Sequence, residues 1–212
     1  MRIDTDRELY IEEHTTPEDA VLQQIHRHTY LTTYNPRMIS GPSQGKFLEF
    51  MCNMLSPKRI LEIGTFTGYS TVCMARGAMP HGHVDTIEVN DELEAHLRRT
   101  FAEAGLADRI TLHIGDACAL LPTLEAGYDF IYIDGDKRDY PTYFDLSLPL
   151  LRHGGYMLAD NVLWGGKVYD GKSDDAHTEA VREFNRRVQS EPSVENTLIP
   201  SRDGLMLVRK IL

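Results

Sequence analysis

From Lys58 onward the chain alternates short apolar, often β-branched runs with amphipathic stretches, and few folds accept that rhythm. The runs fall at 59–63, 84–89, 110–114, 130–134 and 156–159, which predicts five strands separated by helices. Phe130-Ile131-Tyr132-Ile133 is apolar without interruption, as a strand is when both faces of its sheet are covered. Right-handed crossovers then put the connecting helices on the two faces. Two more runs, 194–199 and 205–211, flank a turn at 201–204 and predict an antiparallel hairpin. The expected fold class is α/β, a doubly wound sheet of about seven strands, mostly parallel, with an antiparallel C-terminal hairpin.

Helix-end chemistry agrees with this pattern. Thr16-Pro17-Glu18-Asp19 reads as a helix start with Pro17 at the first helical position, leading into residues 20–30. A second N-terminal helix is expected over 44–55. Asp91 is expected to cap a helix with Glu92 and Glu94 in its first turn and Gly105 past its end. A Gly-rich loop at 164–171 precedes a helix over 175–189. With no repeat or linker, one domain is expected over 1–212: an arm at 1–15, helices within 16–57 and the core from 58.

Composition removes several functions. The 212 residues suffice to bury roughly 70% of the surface the unfolded chain exposes, so no disulfide or metal staple is needed. Cys52, Cys73 and Cys118 are odd in number and far apart, which fits a reducing cytoplasm and neither a disulfide framework nor a zinc spacing. No apolar run long enough for a signal peptide or a membrane span occurs, so a soluble, unexported protein is expected. A net charge of −10, from 32 acidic and 22 basic residues, argues against nucleic acid as a partner.

In a doubly wound sheet, ligands bind beyond the carboxyl ends of the strands. The first strand ends in Glu62-Ile63-Gly64-Thr65-Phe66-Thr67-Gly68-Tyr69-Ser70, a strand, a Gly-bearing turn and a helix start. Glycines let the backbone approach a ligand closely, and the helix N-terminus offers free N–H groups. The spacing is Gly64-x-x-x-Gly68, without the glycine pattern of dinucleotide binders or the Lys-Ser/Thr of a P-loop. Glu88, ending the second strand, suits the two hydroxyls of a ribose. A nucleoside lacking a pyrophosphate satisfies both features; a tight turn and a helix-capping Glu88 would satisfy them equally.

The string Leu61 to Ser70 closely resembles the cofactor motif of class I methyltransferases, specifically of the catechol and caffeoyl-coenzyme A O-methyltransferase families. Gln44-Gly45-Lys46-Phe47-Leu48, Phe130 to Lys137, Asp160-Asn161-Val162-Leu163-Trp164 and Asp203-Gly204 follow in the order those families show, so the resemblance spans residues 20–212. It implies a Rossmann-like fold and S-adenosylmethionine as cofactor. By that likeness the cofactor contacts are Met38, Ser40, Glu62, Gly64, Thr65, Ser70, Glu88, Asp116, Ala117 and Asp134. Glu62 and Ser70 would hold the methionine ammonium and carboxylate, Glu88 the ribose, and Asp116-Ala117 the adenine edge. Ser40 and Ser70 have a second reading as helix or turn caps.

Asp134 ends the fourth strand, and Asp160 with Asn161 ends the fifth. Two carboxylates and an amide suit a hard divalent cation, Mg²⁺ before Ca²⁺ or Mn²⁺, with positions left for water and substrate. The histidine pairs His26/His28 and His81/His83 lack the spacing of a zinc helix. Methyl transfer to oxygen needs an oxyanion, whereas a free phenol with a pKa of about 10 is neutral at pH 7. The resemblance assigns Lys137 as general base; its other reading is a lysine paired with Asp134, Asp136 or Asp139. Trp164 is expected as an aromatic wall for the acceptor ring with Met38 opposite, or else as a plug at the loop base.

Plant caffeoyl-coenzyme A enzymes carry Asn in Asp-Asn-Thr-Leu-Trp-Asn where this chain has Gly165, and the N-terminal arm matches nothing in them. An acidic chain without a basic cluster in its first 40 residues is also a poor host for the highly anionic coenzyme A. The expected activity is metal-assisted O-methylation of a small vicinal dihydroxy aromatic, by a homodimer as the family usually forms. The alternatives are transfer to another hydroxyl or amine, and a catalytically silent cofactor-binding regulator or partner protein.

Overall fold

The computed structural model describes residues 5–212; the first four residues of the expected N-terminal arm lie outside the described residues. Seven strands form one mixed sheet in the order β3-β2-β1-β4-β5-β7-β6. They are β1 (Arg59–Ile63), β2 (His83–Glu88), β3 (Ile110–Ile114), β4 (Tyr128–Ile133), β5 (Leu151–Asp160), β6 (Val194–Ile199) and β7 (Leu205–Lys210). The helices are α1 (Thr5–Glu13), α2 (Ala20–Thr32), α3 (Gly41–Leu55), α4 (Tyr69–Gly77), α5 (Glu94–Glu103), α6 (Ala117–Leu120), α7 (Tyr140–Ser147) and α8 (Ala176–Ser190). The described residues fall into two compact units, those up to 58 with 65–114, and 59–64 with 115–212.

In the first unit β2 and β3 pair in parallel, Val84 opposite Ile110 and Glu88 opposite Ile114. Helix α2 starts at the carboxylate of Asp19, which accepts the N–H groups of Val21 and Leu22 and pairs with Arg76 at 2.8 Å. Tyr69 Oη donates to Glu18 at 2.7 Å, so the entry of α2 is tied to α4. Gly45 of α3 lies so close to that tyrosine that a Cβ would stand 2.4 Å from its ring. The buried hydroxyls of Thr29 and Thr67 share a 2.8 Å hydrogen bond, joining α2 to the turn before α4.

In the second unit β1 pairs in parallel with β4, and β4 with β5. The antiparallel part is β5-β7-β6, with β7 bonded on both sides. Phe130, Ile131, Tyr132 and Ile133 are fully buried, as their unbroken apolar run requires. Phe184 of α8 meets the rings of Tyr140 and Phe144 edge-on at 5.4 and 5.9 Å, fastening α7 to α8.

Three sequence expectations need correction. Pro17 is not a first helical residue, because Asp19 captures two N–H groups and starts the helix after itself. Asn90, not Asp91, caps the segment after β2 through a bond from Glu92 N, and residues Asp91–Leu93 form a 3₁₀ turn before α5. The fifth strand begins at Leu151 rather than 156, with a register shift opposite Tyr128 to Phe130.

Two expected outcomes follow from these elements. Gly64 has φ +100°, and a Cβ there would lie 2.4 Å from the Asp134 carbonyl oxygen; Gly64→Ala is expected to lower unfolding free energy by about 2 kcal/mol or more in urea titration. Asp175 caps α8, accepting from Thr178 N and Oγ1, and those bonds hold its pKa at about 2. The value is depressed below an unfolded value of about 3.9, so the stability Asp175 adds is complete above that value and is lost as pH falls through the folded pKa. Asp175→Ala should melt earlier than the parent at pH 7, and lose less melting temperature than the parent between about pH 4 and pH 2.

Candidate active site

Backbone conformation prepares the turn after β1. Gly64, Phe66 and Gly68 have φ of 100, 50 and 85°, left-handed values that cost a side-chain-bearing residue energy. A Cβ on Gly68 would stand 2.9 Å from the Phe101 ring, so that position is closed to other residues. Thr65 N bonds Ile87 O at 3.2 Å, and the Thr65 and Thr86 hydroxyls lie 2.6 Å apart, buried. The Phe66 amide donates to Glu88 Oε2 at 2.7 Å and the Asn90 amide to Oε1 at 2.9 Å.

Glu88 thus holds both the turn and its own following segment. The backbone N–H groups of Val89 and Thr65 also act on this carboxylate. Burial raises its pKa while the surrounding backbone N–H groups oppose the shift. That donor-accepting, 7% exposed carboxylate fits the diol of a nucleoside.

The other expected cofactor residues are variously placed. Glu62 is fully buried in β1, and Ser70 is buried in the first turn of α4. Ser40 precedes α3 and its side chain makes no capping bond to that helix. Met38 ends a 3₁₀ turn and is more than half exposed. Asp116 caps α6, accepting from Cys118 N at 2.8 Å, and Ala117 is that helix's first residue.

At the ends of β4 and β5, Ile133 pairs with Ala159, so Asp134 and Asp160 leave neighbouring strands side by side. Asp134 Oδ1 accepts from Lys137 Nζ at 2.8 Å. Burial pushes the Asp134 pKa up to about 6; the charge of Asp160 adds to the shift, while Lys137 and Arg202 oppose it. Asp160 is almost wholly buried and accepts from Asn161 N at 2.7 Å. Asn161 has φ 58°, a left-handed conformation that Asn adopts more readily than most residues.

Lys137, 7% exposed, also donates to Gly135 O at 3.4 Å and Tyr140 Oη at 2.5 Å. Among the described residues no three His, Cys, Asp or Glu side chains converge as a cation cage. The candidate set is two carboxylates and an amide, and the mutual repulsion of its carboxylates suits a dication.

Trp164 begins a 3₁₀ turn, Trp164–Gly166, with φ 47° at Trp164 and 62° at Gly165. Its indole stacks on His177 at 5.9 Å and 19°, and its Nε1 is buried without a hydrogen-bond partner. Gly165 N donates to Asp203 Oδ1 at 2.6 Å. Two more bonds, Val162 N to Gly204 O and Leu163 N to Asp203 O, stitch this loop to the turn before β7. Sequence reasoning passed over Tyr140, whose clue was an aromatic three residues past Lys137, and His177, which no motif marks.

The chain matches the O-methyltransferase family over residues 12–211. It is 36% identical over 168 residues to a catechol O-methyltransferase of Niastella koreensis, covering 77% of this chain and 76% of that one. The O-methyltransferase TomG of Streptomyces achromogenes, solved with S-adenosylmethionine, superimposes with a TM-score of 0.91 at 31% identity over 100% of both chains. A Bacillus cereus O-methyltransferase in complex with S-adenosylhomocysteine gives 0.90 at 31%, covering 95% of this chain and 96% of its own. With a family match across nearly its whole length, this chain belongs to the class I S-adenosylmethionine-dependent O-methyltransferases.

Proposed function

We propose that the protein transfers a methyl group from S-adenosylmethionine to one hydroxyl of a small catechol-like acceptor, assisted by a divalent cation and by Lys137. The observation that carries this reading is the pair of carboxylates at adjacent strand ends, buried Asp160 and part-buried Asp134, with Lys137 bonded to the second. Asp134, Asp160 and Asn161 would hold the cation, with Mg²⁺ the best match to an all-oxygen donor set. A cation bound there supplies Lewis-acid charge that favours an ionised acceptor hydroxyl.

Lys137 acts from its neutral amine form, whose Nζ lone pair takes the hydroxyl proton and becomes the ammonium, a step typically worth about a hundredfold to ten-thousandfold in rate. Asp134 orients that nitrogen. Glu88 binds the ribose diol of the methyl donor, Glu62 and Ser70 its methionine end, and Ser40, Gly64, Thr65, Asp116, Ala117 and Asp134 complete its contacts. Trp164 and Met38 flank the acceptor ring. The name of the Niastella koreensis relative supports an acceptor with two neighbouring hydroxyls.

We further propose one catalytic domain acting as a homodimer. Phe50 and Met54 of α3 and Leu9 and Tyr10 of α1 are each more than half exposed, an apolar surface that a second copy would cover. Cys52, Cys73 and Cys118 form no disulfide, which suits the cytoplasm, and no helix among the described residues is long and apolar enough to cross a membrane.

Purified protein with labelled methyl donor is expected to methylate members of a panel of catechols, caffeate and flavonoids, and to lose that activity in excess chelator. Transfer to none of them would favour a silent binding protein; transfer indifferent to metal stripping would remove the cation from the reading. Asp160→Ala is expected to abolish cation-dependent turnover while titration calorimetry finds methyl-donor affinity within about threefold. Loss of donor binding in that variant would mean the cofactor and cation roles are misassigned.

A further inference from the structure

Tyr140, the first residue of α7, is fully buried, and the reaction outlined above gives its phenol no part. Its Oη lies 2.5 Å from Lys137 Nζ, 3.0 Å from Asp160 O and 3.1 Å from Ile133 O. A phenol has one proton and accepts through its lone pairs. The proton therefore serves the carbonyls that end β4 and β5, and the oxygen accepts from Lys137. The ammonium also stands 4.5 Å from the centre of the same ring, and that ring is held edge-on by Phe184. A flexible four-carbon side chain is thereby fixed at its tip by Asp134 on one side and Tyr140 on the other.

We infer that Tyr140 is a positioning residue: its hydroxyl fixes where Lys137 Nζ stands relative to Asp134 and ties the ends of β4 and β5 to that position. The inference rests on the reading of Lys137 as the base. Without Tyr140, Nζ would keep only Asp134 and the long 3.4 Å bond to Gly135 O, both just past the β4 end. With Tyr140 the nitrogen is also anchored on a second element, the α7 start. Displacement of a reacting group by about 1 Å can cost about a hundredfold in rate, so the loss expected on removing the hydroxyl lies between about tenfold and a hundredfold.

Tyr140→Phe keeps the ring and deletes the oxygen. With catechol as acceptor and Mg²⁺ present, kcat is expected to fall about tenfold to a hundredfold, while the acceptor KM and methyl-donor Kd stay within about twofold. In a Lys137→Met background the same change should have no further effect, because a residue acting through Lys137 has nothing left to position. An equal loss in both backgrounds would make Tyr140 merely structural and overturn the inference, as would full kcat in Tyr140→Phe alone. Lys137→Met retaining turnover would instead sink the base reading itself.

If Tyr140→Phe does not fold, 4-fluorophenylalanine at 140 fills the volume of the hydroxyl without donating a proton, and the same kcat loss is expected. A crystal structure of the variant gives a readout independent of turnover. Nζ should move about 1 Å or more from its present place beside Asp134; an unmoved Nζ overturns the inference.

Discussion

Carboxylates brought out of water beside one another repel, and that repulsion shapes the carboxyl end of this sheet. Parallel pairing of β4 with β5 leaves no freedom in the matter: once Ile133 stands opposite Ala159, Asp134 and Asp160 emerge together. The burial that makes the strands stable also makes the charges costly. Lys137 answers with a cation bonded to Asp134, and Arg202 adds a second favourable field. What remains is an oxygen-rich centre of two carboxylates and the Asn161 amide, a donor set that suits a hard dication better than a soft metal.

The same region concentrates backbone strain. Asn161, Trp164 and Gly165 all have positive φ in the few residues after β5, as Gly64, Phe66 and Gly68 do after β1. Such conformations persist only where surrounding bonds over-determine them. Here the bonds are identifiable: Glu88 holds Phe66 N, Asp160 holds Asn161 N and Asp203 holds Gly165 N. Each restraint is a carboxylate, and two of them, Glu88 and Asp160, are also expected to meet ligands, so they shape the loops beside them as well. Gly165 occupies a left-handed position, which accommodates Gly and Asn alike, and this gives a backbone reason for finding Gly where plant enzymes of the resembling family have Asn.

Much of this was legible in the sequence because apolar runs and strand-end residues obey simple rules. All seven strands were expected, and β1, β3 and β6 have the expected bounds. The first half of β5 was not, since Arg152-His153-Gly154-Gly155 lacks the apolar pattern of a strand; Gly154 sits at φ 73° beside a shift in register. Helix starts were misplaced where capping candidates lay close together: Asn90 rather than Asp91 caps the segment after β2, and Asp19 starts α2 two residues beyond Pro17, because only folding decides which side chain reaches the N–H groups. Tyr140 escaped notice for a related reason. Its hydroxyl matters through partners on two strands and a neighbouring turn, and nothing local in the sequence reveals that convergence.

The three hydrogen bonds from the 162–165 loop to Asp203 and Gly204 have a consequence for how the protein comes into being. A ribosome makes the loop bearing Asn161 and Trp164 about 40 residues before the turn that secures it. β7 must then insert between β5 and β6, closing the sheet by pairing with strands on both sides. A nascent chain that has yet to release residue 204 can own every acidic residue of the site and still lack its shape. Competence therefore arrives late and all at once, when the hairpin docks.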